Sequence, residues 1–271
     1  MKTYKNIFLY SALVIAVFVI TIPLLLLLIR GFTDRWAYPQ LFPQELSLRG
    51  VRRLFKVNFH VGRIIVSSIA LSCVIALLSA VIAAMTARAF CFYEFKGKRI
   101  LRFFSILPIL VPVTAFGMGS QLLFIRLHLN NTIFAVIISH LIIVLPFAIK
   151  IMEDVISAVG TKLEEQARVL GASAWQAFAC TTLQMIAPGV LSAIAVSFLL
   201  SYTQYFITLL IGGGNVRTLS IIVMPIISGN DQTLSSIYSV VFIVSIMFVF
   251  IVFHIASGVI SKKCGGNFYG T

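Results

Sequence analysis

TKLEEQARVLGASAWQAFACTTLQ, residues 161–184, is a polar stretch inside a very apolar chain. It holds Glu164 and Glu165, two of only eight acidic residues. The segments on either side of it are apolar and long enough to cross a bilayer. Two helix starts are written into it. Thr161-Lys-Leu-Glu164 has the form of a capping box, in which the hydroxyl accepts from the third helical N–H and the carboxylate reaches back to the cap N–H. Ser173-Ala-Trp-Gln176 has the same form with Gln in the acid's place. Leu163, Ala167 and Leu170 recur at i, i+4 and i+7, giving one apolar helical face, while Glu164, Glu165 and Arg168 take the remainder. Gly171 is placed to end that helix in a left-handed conformation. The spacing predicts two short helices joined at a glycine corner and leading into a membrane span. The competing reading is a surface linker that only turns the chain, and two caps flanking a glycine weigh against it.

The rest of the chain sets the class. Of its 271 residues, 60% are hydrophobic and 11% charged, and the mean hydropathy is +1.05. A soluble domain is about 45–50% apolar and about 25% charged. The expected fold is therefore all-α and integral to a membrane. Six spans are expected near residues 7–29, 64–87, 103–124, 132–151, 185–210 and 237–260, each long enough for a hydrocarbon core about 30 Å thick. The first run is too long for the apolar core of a cleaved signal, and no small-x-small site follows it, so it reads as a retained span.

Six spans put both termini on one side. With that side taken as cytoplasmic, 12 Lys and Arg fall inside and 9 outside, a weak bias of the expected sign. The outer segment RGVRRLFKV (49–57) weakens it. Val51, Leu54 and Phe55 lie against a basic face there, which suits a helix lying at the membrane interface; an ordinary basic loop is the alternative. The net charge of +13 comes from short clusters between apolar runs. That pattern reads as topology signals and contacts to lipid headgroups, with no nucleic-acid partner. The four cysteines lack paired or metal-ligand spacing and read as free thiols. No metal site or cofactor is expected.

All eight acidic residues fall outside the six spans. Ion-coupled carriers usually hold ionisable groups within the bilayer, so the pattern argues against that class. A membrane enzyme would need ionisable residues clustered at one depth, and these are lacking. In the second span Ser68, Ser72, Ala76, Ala80 and Ala84 recur every four residues, a small-residue face suited to close helix packing. Pro108, Pro112, Pro146 and Pro188 punctuate three spans, where each removes a donor and can kink the helix.

Candidate pathway residues are Ser197, Ser201, Gln204 and Thr208, which step by four, three and four along one face of the fifth span, together with His140 in the fourth. Interhelical hydrogen bonding is the competing reading for that face, and a hydrogen-bonded structural role competes for His140, as for His254.

Glu165-Gln-Ala167-Arg-Val-Leu-Gly171-Ala-Ser, followed by Leu183 and Pro188-Gly189, resembles the EAA loop of ABC importer permeases. The family pattern reads E-A-A-x-x-x-G, then nine residues, then I-x-L-P. Glu165, Ala167, Gly171 and Leu183 match it in register. Gln166, Thr181 and Gln184 depart from it. The loop also sits between the fourth and fifth of six spans, as in the type I importer (MetI-like) fold. The stretch SYTQYFITLLIGGG (201–214), with Thr218-Leu219 after it, is similar to the branch that handles polyamines, sulfate, ferric iron and thiamine.

The resemblance covers roughly residues 60–260. It implies a first span and extracytoplasmic segment over 1–59, a permease domain over 60–260 with its coupling loop at 161–184, and a cytoplasmic tail over 261–271. It implies that Glu164, Glu165, Ala167, Arg168, Gly171 and Ala172 serve an ATPase-coupling surface. It also implies a bacterial inner-membrane location and three kinds of partner: ABC ATPase subunits, a second permease copy or paralogue, and an extracytoplasmic solute-binding protein. The chain has no G-x-x-x-x-G-K-[ST] phosphate loop, since Gly212-Gly213-Gly214 is followed by Asn215. It is therefore expected to be a transport subunit and not an enzyme.

Overall fold

The computed structural model describes residues 2–36, 39–57 and 61–266. The side chains of His254 and Cys264, and residues 267–271 of the expected tail, lie outside the described residues. The elements in chain order are α1 (Lys2–Gly31), β1 (Thr33–Arg35), β2 (Glu45–Leu46), α2 (Arg49–Val57), α3 (Val61–Phe92), α4 (Lys98–Leu110), α5 (Val113–Arg126), α6 (Ile133–Val159), α7 (Lys162–Val169), α8 (Ala174–Ala177), a π-helical turn (Phe178–Thr182), α9 (Leu183–Tyr202), α10 (Phe206–Gly212), α11 (Leu219–Ile227) and α12 (Gln232–Gly266).

Among the described residues five helical stretches are long and apolar enough to cross a membrane: Tyr10–Gly31, Val61–Phe92, Ile133–Val159, Ala174–Tyr202 and Gln232–Phe253. A sixth results if α4 and α5 count as one span, and these two meet at 108°. The third expected span, 103–124, is thus a broken pair and not one helix. The cause is local. Pro112 drives the residue before it out of the helical region, and Val111 is extended, with φ −88° and ψ 128°. The fifth expected span, 185–210, is also redrawn. Its helical run begins at Ala174 and ends at Tyr202, and α10 follows after a three-residue break.

The described residues fall into two compact units, one of residues 1–63 with 222–245 and the other of residues 64–221 with 246–271. In the first, β1 and β2 pair antiparallel, and segment 49–57 is a helix, α2. Its Arg49 reaches Asp34 at 2.6 Å and Asp231 at 3.2 Å, and its Arg53 reaches Asp231 at 2.7 Å. Asp231 also accepts the Leu234 N–H at 3.1 Å, capping α12. Burial would raise the pKa of Asp231, but the Leu234 N–H and the two arginines outweigh it and hold the carboxyl below its ordinary value. Two of the basic residues of α2 are thereby spent on carboxylates of the same unit.

In the second unit the small-residue face of α3 packs as its register predicts. Ser68, Ser72, Ala76 and Ala80 are buried, and Ala84 is half-buried against a core of Ala83, Ala87, Phe90, Ile149, Met152, Ile186 and Ala193. Without a hydrophobic drive between helices in lipid, such close approach is a main source of association. Helices α6 and α9 cross most tightly at Gly189, where a Cβ would sit 2.7 Å from the Val155 side chain. A second cluster joins Leu71 and Ile75 of α3 to Phe124, Val136, Ile207 and Ile211.

Candidate coupling site and buried polar seam

Helix α7 stands between two left-handed glycines. Gly160, with φ +68°, ends α6, and Gly171, with φ +95°, ends α7. The Gly171 corner is a Schellman motif: the Gly171 N–H bonds the Arg168 carbonyl and the Ala172 N–H bonds the Ala167 carbonyl, both at 3.0 Å. Helix α8 then starts on the expected capping box. Gln176 N–H donates to Ser173 Oγ at 3.3 Å, and Ser173 N–H donates to Gln176 Oε1 at 3.0 Å. After α8 the chain widens into the π-helical turn before resuming as α9.

The other expected capping box does not form. Thr161 makes no side-chain cap bond, since its backbone is helical (φ −107°, ψ −10°) and not extended as at an N-cap, and the Glu164 carboxylate is engaged elsewhere. Arg88 Nη2, at the end of α3, donates to both Glu164 oxygens at 2.8 and 2.9 Å, and Thr182 Oγ1 donates to Oε2 at 2.9 Å. Two bonds from a full positive charge and one from a hydroxyl outweigh the single N–H that the cap would offer the same carboxylate, so the cap loses its acid. The Arg88 guanidinium also lies over the Phe178 ring at 5.0 Å and the Phe92 ring at 5.8 Å. Burial pushes the Glu164 carboxyl up, yet the bonds from Arg88 and Thr182 and the nearby positive charge leave it below its ordinary value.

Glu165 faces the other way and is exposed, as are Arg168 and Gly171, while Ala167 and Ala172 are half-buried. The apolar side chains here find little cover among the described residues: Val169 is 87% exposed, Leu170 88% and Trp175, which touches the Phe178 ring, 72%. The apolar face expected from Leu163, Ala167 and Leu170 therefore points outward at Leu170 and is open at Leu163. Of the six coupling residues, Glu164 is drawn into an ion pair with a membrane helix.

The second candidate set forms a buried seam. His140 Nδ1 lies 3.0 Å from Ser201 Oγ, and Nε2 lies 2.9 Å from Thr208 Oγ1. Ser201 in turn donates to Ser72 Oγ at 3.4 Å. Ser197 is fully buried, and its hydroxyl makes no hydrogen bond. Gln204 stands in the break between α9 and α10, where its carbonyl accepts from Thr208 Oγ1 at 2.6 Å and Ser220 Oγ at 3.1 Å. Side-chain hydroxyls thus replace the helical donors that the break removes, as a non-helical segment at membrane depth requires. The geometry brings His140, Ser201 and Thr208 together as a hydrogen-bonded link between helices.

Arg88 and Thr182 were not singled out from sequence. A signal for Arg88 exists: it is the next step of the Ser68–Ala84 register, four residues past Ala84, so it falls on the packing face of α3. Thr182 had none, because its position depends on the extra residue of the π-helical turn.

Comparisons with known proteins agree with this geometry. Residues 76–265 match the family described as "Binding-protein-dependent transport system inner membrane component". The chain is 27% identical over 197 residues to the "Probable ABC transporter permease protein y4oR" of Sinorhizobium fredii, a match covering 72% of this chain and 70% of that protein. It is 24% identical over 133 residues to the sulfate transport system permease CysT of Escherichia coli, covering 45% of this chain and 48% of that one. Two solved structures share the fold. A bacterial ABC transporter that imports alginate superposes with a TM-score of 0.71 at 14% identity, over 93% of this chain and 96% of that one. A bacterial alginate ABC transporter in complex with alginate pentasaccharide-bound periplasmic protein superposes with 0.65 at 16% identity, over 90% and 93%. An all-α fold with a broken third span, a helix–glycine–helix before the fifth span and a match over most of the chain place this protein in the binding-protein-dependent transport system inner membrane component family, as a permease subunit of ABC importers.

Proposed function

We propose that residues 161–184 form the handle by which a cytoplasmic ABC ATPase drives this permease. The observation that carries the reading is the uncovered apolar group Val169, Leu170 and Trp175, held beside the exposed Glu165 and Arg168 on a helix pair fixed by a Schellman corner and a capping box. A rigid, capped element that leaves three large apolar side chains in water fits a partner groove. In this role Glu165 and Arg168 supply rim charges, Gly171 supplies the corner, and Ala167 and Ala172 allow close approach. Both termini then lie on the cytoplasmic side.

The chain pairs with a second permease, either a copy or a paralogue, and receives solute from an extracytoplasmic binding protein; the alginate transporter seen with its periplasmic protein supports that arrangement. Closure of two ATPases moves the two handles together and shifts the spans between inward- and outward-open states. The buried seam of His140, Ser197, Ser201 and Thr208, with Gln204 at its end, braces the α9–α10 break behind the pathway. The family match leaves the ion-coupled carrier and the membrane enzyme without support.

The test is co-purification from native membranes through a tag on this chain. An ATP-binding subunit should accompany the unaltered protein. It should be lost on Gly171→Val, whose β-branched side chain is strained at φ +95° by about 1–2 kcal/mol or more, and on Trp175→Ala. An ATPase retained in full by both variants contradicts the docking role.

A further inference from the structure

Arg88 belongs to α3 and lies 76 residues before Glu164, yet it is the centre of the contacts that hold the loop. One guanidinium nitrogen bridges both carboxylate oxygens, and its plane lies over Phe178, at the start of the π-helical turn. The same carboxylate is held from the third side by Thr182, at the end of that turn. Three elements, α3, α7 and the entry to α9, therefore meet at one carboxylate. The arrangement is a poor device for stability alone. The pair is largely removed from water, with Arg88 25% and Glu164 13% exposed, and Arg88 Nη1 is buried without a hydrogen bond. Part-buried pairs with an unmet donor commonly stabilise no better than well-packed apolar side chains. What such a pair does supply is a directional tie, strong when made and costly when broken.

The rest of α3 shows where that tie leads. The register that ends at Arg88 begins twenty residues earlier at Ser68, about 30 Å along a helix axis. There Ser68 Oγ accepts the Leu219 N–H at 2.8 Å, and one turn on Ser72 accepts from Ser201, the partner of His140. One i, i+4 ridge of α3, winding about the helix axis, thus carries the coupling loop at one end and the broken α9–α10 region at the other.

We propose that Arg88 is a positioning residue for energy coupling: through Glu164 and Thr182 it ties the ATPase-facing helix α7 to α3, so that displacement of α7 is delivered along α3 to the α9–α10 break. Glu165 touches the motor and Glu164 holds the lever. The proposal rests on the docking role of the loop, and its test separates the two.

Cys91, one turn past Arg88, reports on α3. It is half-buried, with its thiol 3.7 Å from the Glu153 carbonyl of α6. With Cys73, Cys180 and Cys264 replaced by Ser, Cys91 is alkylated with N-ethylmaleimide in the complex purified from native membranes. Rates are taken without nucleotide and with ATP plus vanadate, normalised to the ATPase that co-purifies. The unaltered pair should show a severalfold change in rate between the two states. Arg88→Ala should abolish that change, and so should the isosteric Glu164→Gln, which keeps the volume of the side chain. The exchanged pair Arg88→Glu with Glu164→Arg should restore it in part, an outcome that mere loss of packing does not give. A full nucleotide response in Arg88→Ala and Glu164→Gln overturns the proposal, as does the absence of any response in the unaltered complex. Failure of the docking role shows separately, as an ATPase that never depends on Gly171 or Trp175.

Discussion

Glu164 and Glu165 are neighbours in α7, and the sequence treats them alike. The structure turns Glu164 onto Arg88 and Thr182 and leaves Glu165 exposed. The split has a pH signature. Desolvation raises the Glu164 pKa, but its hydrogen bonds and the positive charge of Arg88 more than offset that, so the folded value lies below the ordinary 4.5. A carboxyl with a depressed folded pKa contributes stability that is complete above the unfolded value and is lost as pH falls through the folded one. The thermal midpoint of the unaltered protein should therefore exceed that of Glu164→Gln near neutrality. The gap should hold down to the ordinary pKa and close below it. A gap that persists in acid would show that the charge of Glu164 contributes nothing.

At the scale of elements, legibility followed how local the deciding interaction was. The Ser173 box and the Gly171 corner are settled within four residues, and both stand as the spacing predicts. The Thr161 box is equally local in form, but a guanidinium from α3 takes its acid, and nothing near Thr161 announces that. The small-residue face of α3 was legible because its period is strict; that it ends in Arg88 was legible too, and matters more. The spans containing proline could be read as bent but not by how much: α6 and α9 absorb Pro146 and Pro188 within continuous helix, whereas Pro112 breaks the third span by 108°. The contact between α6 and α9 offers a direct check. A Cβ at Gly189 would lie 2.7 Å from the stiff, β-branched Val155. Gly189→Leu should destabilise the protein by about 1–3 kcal/mol through overpacking, read as a lowered unfolding midpoint in detergent. The paired change Val155→Ala with Gly189→Ala should recover most of the loss, and no recovery would mean that the crossing lies elsewhere.

For the whole molecule, composition places the chain in a membrane, and the family match makes it a permease subunit there. The chain offers kinked spans, a buried polar seam at His140 and an exposed handle, and the role proposed for that handle is to take energy from another protein. The handle is the central claim, and proximity tests it most directly. A benzophenone maleimide is attached to Leu170→Cys in a background otherwise free of cysteine, and native membrane vesicles are irradiated. An identical probe at Leu41→Cys, also highly exposed but in the segment assigned to the opposite side, serves as the reference. The account predicts a cross-link from position 170 to a polypeptide that binds ATP, with none from position 41. No such cross-link from 170, or labelling of 170 by an impermeant maleimide from outside intact cells, would contradict it.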